Sequence, residues 1–442
     1  MLALIAIQEH VMKPIKRNYI FDFDSTLTKV EALDVLAEIT LKDNPNKAEI
    51  IQEIIDITNL GIDGDISFTE SLERRIKLLK AKKSDLAGLI EALRQQVSIS
   101  IENNKAFFEN FSNDIYVISA GFKEFIIPIV AEYNIDKTRV YANTFEFDEN
   151  DVIVGFDRSN PLSVHNGKIQ CLRDMKLEGE IQVIGDGYSD AVTRKAGVAD
   201  KFFAYTENIT RDKTTQNADF IAPSLDEFLF VNKLPRSISY PKNRITVLLF
   251  DDVHSEVHHS FRNDGFNVET VAVNSSEDEL IYKSVNAHVV ILNSEIIPDS
   301  IISKAEKLLV VGVLTDAKLV NTKLCKEKGI VVFHDNNETI LTNSILNFIN
   351  TGNSSNAINF PSINLPEYKD THRFLHIHEN KPGVMARINE ILANSRRNIM
   401  AQYLSTDSKI GYVMTDIDKK YSEELINELK TVDGTIKFRV LY

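Results

Sequence analysis

The 442-residue chain has only two cysteines, Cys171 and Cys325, which lie far apart and show no metal- or redox-type spacing. That usage leaves no disulfide framework and suits a reducing, cytoplasmic setting. Positive charge is also short: 50 Lys and Arg stand against 64 Asp and Glu, a formal net charge of −14. The basic residues are dispersed rather than run together with aromatics, so neither nucleic acid nor an anionic membrane is expected as a partner. No apolar run reaches membrane-spanning length. The opening Met1-Leu-Ala-Leu-Ile-Ala-Ile is too short for a signal segment and leads into Gln-Glu-His, which leaves both Met1 and Met12 as candidate starts.

What the chain does have is a set of apolar strands ending in polar residues. Tyr19-Ile-Phe-Asp-Phe-Asp-Ser-Thr-Leu-Thr28 reads as a strand that delivers Asp22 and Asp24 to its C-terminal lip. One carboxylate can attack phosphorus and the other can move a proton, provided a metal ion offsets the pair. Acidic residues after a strand also cap helices, so the pattern alone is ambiguous. Three more segments follow in order. A second strand, from Asp114 to Phe122, ends in Ser119-Ala120-Gly121; Asn166-Gly167-Lys168 puts a lysine after a glycine turn; and a third strand, from Glu180, ends in Asp186 and Asp190.

The ordered set resembles the four motifs of the haloacid dehalogenase superfamily of phosphohydrolases. That resemblance implies a Rossmann-like α/β core and assigns Asp22 as nucleophile and Asp24 as general acid and base. Ser119 and Lys168 would hold the transferring phosphoryl oxygens, with Ala120 and Gly121 alongside. Mg2+ would be held by Asp22, the Asp24 backbone carbonyl and Asp186, with Ser189 and Asp190 behind them.

Between the first two motifs, Glu31–Leu41, Lys47–Thr58, Ser67–Leu79 and Ser84–Val97 carry apolar residues at helical spacing, which predicts a helical cap over about 32–108. Two details resemble the phosphoserine phosphatase family. Glu31 stands where a carboxylate meets the substrate ammonium, and the helix from Ser67 places Arg75 to pair with the substrate carboxylate, with Phe68 closing over the ligand. On local pattern alone, Glu31 is equally a helix-start residue, and Arg74 and Arg75 a solvated face.

The remainder divides at two stretches poor in apolar periodicity, 234–243 and 350–368. From these the phosphatase-like domain is expected over 13–233, a small doubly wound α/β domain over 244–350, a linker over 351–371 and a last domain over 372–442. The middle domain resembles the outer, substrate-binding domain of D-3-phosphoglycerate dehydrogenase, without its nucleotide-binding half. No Gly-x-Gly-x-x-Gly follows a strand there, and Asn293-Ser294-Glu295 stands where that family has an arginine loop, so dehydrogenase activity is not expected. His254, His258 and His259 lie close in sequence, but Glu256 is misplaced for a zinc motif. The final segment alternates strand, helix, strand, strand, helix, strand, the order of a ferredoxin-like sandwich. Its His376-Ile-His-Glu-Asn-Lys-Pro-Gly-Val384 and Asn398-Ile-Met-Ala-Gln-Tyr-Leu404 resemble the serine-binding ACT domain of the same dehydrogenase family, which maps effector contacts to His378, Asn380 and Asn398.

Taken together, the resemblances imply a cytoplasmic, Mg2+-dependent enzyme that hydrolyses O-phosphoserine in serine biosynthesis. L-serine would be product and effector, and the ACT domains would hold a homo-oligomer together. Another small phosphorylated metabolite as substrate, or a serine-binding regulator without turnover, are the alternatives.

Overall fold

Strands rich in β-branched and aromatic residues and buried on both faces must be covered by helices, and parallel sheets result. The computed structural model describes residues 16–63, 65–238, 240–366, 368, 371–418 and 423–441. The expectations about Met1 and Met12, and the outer ends of the last helix and strand, fall outside these residues. Two compact units divide after Arg236.

The first unit is built on a parallel sheet of β1 (Arg17–Phe21), β2 (Ile115–Phe122), β3 (Val140–Asn143), β6 (Glu180–Gly185), β7 (Lys201–Tyr205) and β8 (Phe220–Ala222), in the order β3-β2-β1-β6-β7-β8. A short antiparallel hairpin, β4 (Phe145–Phe147) and β5 (Ile153–Phe156), branches from it. The order reverses around β1, so the crevice beyond its C-terminal end is where a doubly wound sheet offers a site. Tyr19 and Phe21 on β1 are buried against Phe107 and Phe228, which fixes the strand from one face.

Between β1 and β2 lie α1 (Ala32–Thr40), α2 (Lys47–Asp63), α3 (Phe68–Leu79) and α4 (Asp85–Arg94), the helical cap. Ser67 caps α3 by accepting the Glu70 N–H at 3.1 Å. The buried stripe of α3 is Ser71, Leu72, Arg75, Ile76 and Leu79, so an arginine occupies a position that helical periodicity turns inward.

The second unit holds a parallel sheet, β9 (Thr246–Phe250), β10 (Asn267–Val271), β11 (Val289–Leu292), β12 (Val310–Val313) and β13 (Val331–His334), in the order β10-β9-β11-β12-β13. It also holds an antiparallel sheet, β14 (Thr371–Glu379), β15 (Ile399–Thr406), β16 (Ile410–Asp418) and β17 (Thr435–Val440), in the order β15-β16-β14-β17. Helices Val384–Asn394 and Glu423–Lys430 cover the latter, giving the ferredoxin-like arrangement.

The stretch read from sequence as a linker is packed. Phe360, Ile363 and Leu365 are buried in the same core as β11, β13, Leu375 and Tyr412. Backbone polar groups there are met by side chains: Leu365 N–H donates to Asn353 Oδ1 at 2.8 Å, and Ile363 N–H to Ser354 Oγ at 3.1 Å. Arg373, fully buried, pairs with Asp416 at 2.7 Å and donates to the carbonyls of Thr351, Leu365 and Pro366. A buried ion pair with all its donors used locks this segment in place.

Candidate active site

The turn after β1 is what aims the two aspartates. Phe23–Leu27 winds tightly, with Ser25 at φ 54, a left-handed conformation that is unusual for a residue with a side chain. Three contacts hold it: Asn208 Nδ2 donates to the carbonyls of Ser25 and Thr28 at 3.0 and 3.2 Å, and Ser98 Oγ to the Thr26 carbonyl at 2.7 Å. Asp22 Oδ1 accepts the Phe23 N–H at 2.7 Å, and its Oδ2 lies 2.7 Å from Lys168 Nζ. Asp24 Oδ1 accepts the Ala32 N–H at the start of α1, at 2.8 Å.

Lys168 comes from the first turn of helix Gly167–Met175 and reaches both Asp22 and Asp190, each at 2.7 Å. Burial works against its charge, but the two carboxylates more than compensate, so it is held as the ammonium. Gly185 and Gly121 allow the close packing. A Cβ on Gly185 would lie 2.4 Å from the Asp190 carboxyl, and one on Gly121 only 3.1 Å from Asp24 Oδ2 and 3.2 Å from Ser119 Oγ. Ser119 is itself buried and accepts the Gly121 N–H at 2.9 Å.

Asp22, Asp24, Ser119, Lys168 and Asp186 line one cavity of about 210 Å³, together with Glu31, Phe68, Arg75, Ala120, Gly121 and Ser189. Every residue expected at the phosphatase site is thus brought together except Asp190, which stands behind Lys168. Glu31 begins α1 and accepts from Ser25 Oγ at 2.9 Å. Burial raises its carboxyl, opposed by Ser25 and Arg75. Arg75 is 7% exposed, whereas Arg74 beside it is half-exposed and pairs with Glu70 at 3.7 Å. Burial lowers the Arg75 guanidinium, and Glu31, Asp34 and Asp24 push it back up.

Arg211 lines the same cavity and was not singled out in the sequence. Its Nε lies 3.1 Å from Asp186 Oδ2, and its Nη2 3.9 Å from Glu31 Oε1. It sits in the loop after β7, where no periodicity marks it. Thr26 Oγ1 donates to the other Asp186 oxygen at 3.3 Å.

The electrostatics are those of crowded acids. Burial, then Glu31, raises Asp24 well above the usual carboxylate range. Burial, then Asp22 and Glu31, raises Asp186 to about 7, against the pull of Arg211. A divalent cation relieves such crowding. Among the described residues no three His, Cys, Asp or Glu side chains converge as a metal cage. Asp22 and Asp186 with main-chain oxygen offer the two-carboxylate, oxygen-only set that suits Mg2+ with waters.

At the other proposed site, His378 is buried at the end of β14 opposite Gly411, its Nδ1 2.8 Å from the Glu379 carbonyl and its Nε2 buried without a partner. Asn380 donates to the Asp407 carbonyl at 2.6 Å. Asn398 is exposed and lies at the opposite end of the sheet, where its carbonyl accepts the Asp418 N–H. With seven residue steps along β16 from Gly411 to Asp418, the separation is about 23 Å. One chain therefore does not bring the three together.

Residues 19–192 match the haloacid dehalogenase-like hydrolase family, 247–359 the catalytic domain of D-isomer specific 2-hydroxyacid dehydrogenases, and 374–437 an ACT domain like that of the AHAS small subunit. The chloroplastic phosphoserine phosphatase of Arabidopsis thaliana is 30% identical over 204 residues, 46% of this chain and 66% of that protein. D-3-phosphoglycerate dehydrogenase of Haemophilus influenzae is 46% identical over 95 residues, 22% of this chain and 23% of that protein. A crystal structure of a phosphoserine phosphohydrolase-like protein from Francisella tularensis is 30% identical with a TM-score of 0.44, covering 49% of this chain and 99% of that one. The chain spans 23% of that dehydrogenase's length and 66% of the plant phosphatase's. It joins a haloacid dehalogenase-like hydrolase domain to a 2-hydroxyacid dehydrogenase-like α/β domain and an ACT domain.

Proposed function

We propose that the first unit hydrolyses O-phospho-L-serine to L-serine and phosphate, in the cytoplasm and as a step of serine biosynthesis. The observation that carries this is the placement of one acid and one base, half-buried Glu31 and buried Arg75, in the cavity that also holds Asp22 and Lys168. A phosphate alone needs neither; an amino acid needs both, an anion for its ammonium and a planar cation for its carboxylate.

Asp22 attacks phosphorus in line and forms an aspartyl-phosphate, while Lys168 and Ser119 hold the equatorial oxygens. Asp24, whose protonated form is favoured by burial and by the neighbouring Glu31, gives its proton to the departing serine oxygen. It then takes a proton from the water that cleaves the acyl phosphate. Asp190 keeps Lys168 aimed and charged. Asp22, Asp186 and the Asp24 carbonyl would hold Mg2+, which supplies the positive charge that both phosphate and carboxylates need. Phe68 and the cap exclude water.

In the second unit, serine binds at His378 and Asn380 of one copy and Asn398 of another. The opposite placement of these residues in one sheet fits two copies paired in antiparallel fashion along β15. That edge strand leaves Ile399, Met400, Tyr403 and Leu404 exposed.

A phosphate-release panel with Mg2+ tests the substrate. O-phosphoserine should exceed both phosphoethanolamine, which lacks the carboxylate, and 3-phosphooxypropanoate, which lacks the ammonium, by about tenfold or more in kcat/KM. Equal rates on all three would make Glu31 and Arg75 structural and return the reading to a general small-molecule phosphatase.

A further inference from the structure

We infer that Asn208, in the loop after β7, is a positioning residue for the reaction: its amide pins the turn that carries Asp22 and Asp24 to both chain connections of the cap. Asn208 acts through those aspartates, so its assignment rests on the aspartyl-phosphate reading above and not on which phosphomonoester is taken.

The cap joins the core by an outgoing connection, from the turn into α1, and by a return after α4. The two are laced together. Lys29 N–H donates to the Gln96 carbonyl at 2.7 Å, Ser98 N–H to the Leu27 carbonyl at 3.0 Å, and Thr28 pairs with Val97 in an antiparallel bridge. Asn208 Nδ2 reaches the Ser25 carbonyl at 3.0 Å, the Thr28 carbonyl at 3.2 Å and Ser98 Oγ at 2.8 Å. The first acceptor belongs to the turn, the second to the outgoing connection and the third to the return. Fully buried Ser98 extends the link by donating to the Thr26 carbonyl. Carbonyl oxygens can only accept, so it is the amide nitrogen of Asn208 that must face them.

The anchor is held in turn. Tyr205, buried at the end of β7, donates to Glu207 at 2.5 Å, and Glu207 accepts the Ser100 N–H at 3.0 Å. Neighbouring side chains of one loop thus grip the return connection twice. Ser25 needs such bracing, because a residue with a side chain keeps φ 54 only where its surroundings over-determine it. Asp24 directly precedes Ser25, and in-line attack tolerates little displacement: an error of about 1 Å costs on the order of a hundredfold. The plain alternative is that Asn208 merely satisfies buried carbonyls. That would cost stability when lost, without singling out turnover, and it leaves unexplained why the three acceptors come from the segments that meet at this turn.

The test is steady-state kinetics of the full chain on O-phosphoserine and on p-nitrophenyl phosphate, beside hydrogen exchange of residues 22–28 without substrate or metal. Asn208→Ala should lower kcat about 10- to 100-fold on both esters and leave KM within about threefold. Exchange in 22–28 should quicken, with β6 as protected as in the unchanged chain. Asn208→Asp keeps the shape but turns an acceptor towards three oxygens, and protonation returns a donor. Its kcat relative to the unchanged chain should therefore recover as pH falls from about 8 to about 6. If Asn208→Ala fails to fold, Ser98→Ala should show the same split, several-fold in kcat. Turnover of neither ester by the unchanged chain would remove the phosphatase reading; quickened exchange in 22–28 would then still support the pin, and unaltered exchange would remove it too. A lower melting temperature with kcat within about twofold, or an Asn208→Asp protein that matches the unchanged chain at every pH, overturns the proposal.

Discussion

Two parallel sheets in this chain run a strand straight into aspartates, and only one builds a reactive site around them. After β1, Asp22 and Asp24 face a buried lysine, a second pair of carboxylates and a cavity. After β9, Asp251 and Asp252 have no cation: among the described residues neither makes an ion pair. Asp251 accepts the Val273 N–H at 2.8 Å, and Asp252 the Ser294 hydroxyl at 2.5 Å. The first pair is placed where water is scarce and charge must be matched; the second merely ties loops. A carboxylate at a strand end acquires chemistry from what other segments bring to it.

The largest test of that contrast is substitution of the acids themselves. Asp22→Asn keeps the shape and removes the proposed nucleophile, so phosphate release should fall on the order of 10⁴-fold or more, with the fold intact by circular dichroism. Asp251→Asn and Asp252→Asn should leave turnover unchanged. Appreciable steady-state phosphate release from a folded Asp22→Asn protein would end the aspartyl-phosphate mechanism.

The contrast also shows what the sequence could reveal. Four motifs in order placed Asp22, Asp24, Ser119, Lys168 and Asp186 in one cavity, because strand ends are legible and a parallel sheet gathers them. Arg75 was legible only through resemblance, since local pattern allowed a solvated face; the structure puts it on the buried stripe of α3. Arg211 and Asn208 were not legible. Each acts from a loop, through contacts to residues about 180 or 25 positions away that no local period records. The packed stretch around Phe360 was misread because its order comes from side-chain bonds to Asn353 and Ser354, and its polar composition imitates a tether.

Acid and base should separate the two units next. In the metal-free protein, burial raises Asp24 and Asp186, the latter to about 7, so the fold grips those protons more tightly than the unfolded chain does. Their stabilising contribution is complete below the ordinary carboxylate range and fades as pH rises towards 7. His376 goes the other way: burial lowers it to about 4, with His378 adding to the effect. Its contribution is complete above the usual 6.5 and is lost as pH falls to about 4, roughly 3 kcal/mol in all. Hydrogen exchange should therefore show β14 and β16 losing protection on acidification, with β1 and β6 free of that particular loss. His376→Gln should remove most of the acid-side change. An undiminished loss in that variant would place its origin elsewhere.

Arg75→Ala should be smaller and more selective. Losing a charge-assisted pair worth ~1.5–3 kcal/mol, KM for O-phosphoserine should rise about ten- to hundredfold. Phosphoethanolamine, without a carboxylate, should be much less affected. The ratio between the two substrates is the informative quantity, since it cancels any general loss of packing from removing a buried arginine. Arg74→Ala, which gives up only a half-exposed pair with Glu70, should change neither by more than about twofold.

The smallest expected effect lies in the second unit. Serine is both the proposed product and the proposed effector, so simple competition at Asp22 could imitate regulation. The sheet register separates the two, because Asn398 lies at the end remote from His378 and Asn380. If two copies complete the effector site, Asn398→Ala weakens serine binding there without touching the catalytic cavity. Serine bound there can inhibit only by binding two arrangements of the protein unequally, a coupling of about 1–3 kcal/mol. Asn398→Ala should then keep full phosphate release and lose the non-competitive part of serine inhibition, leaving the competitive part. Analytical ultracentrifugation supplies the second reading: a charge on the exposed edge, Leu404→Lys, should dissociate the pair and abolish the same component. Wild-type inhibition that is purely competitive, and unchanged in both variants, would reduce the ACT domain to a scaffold.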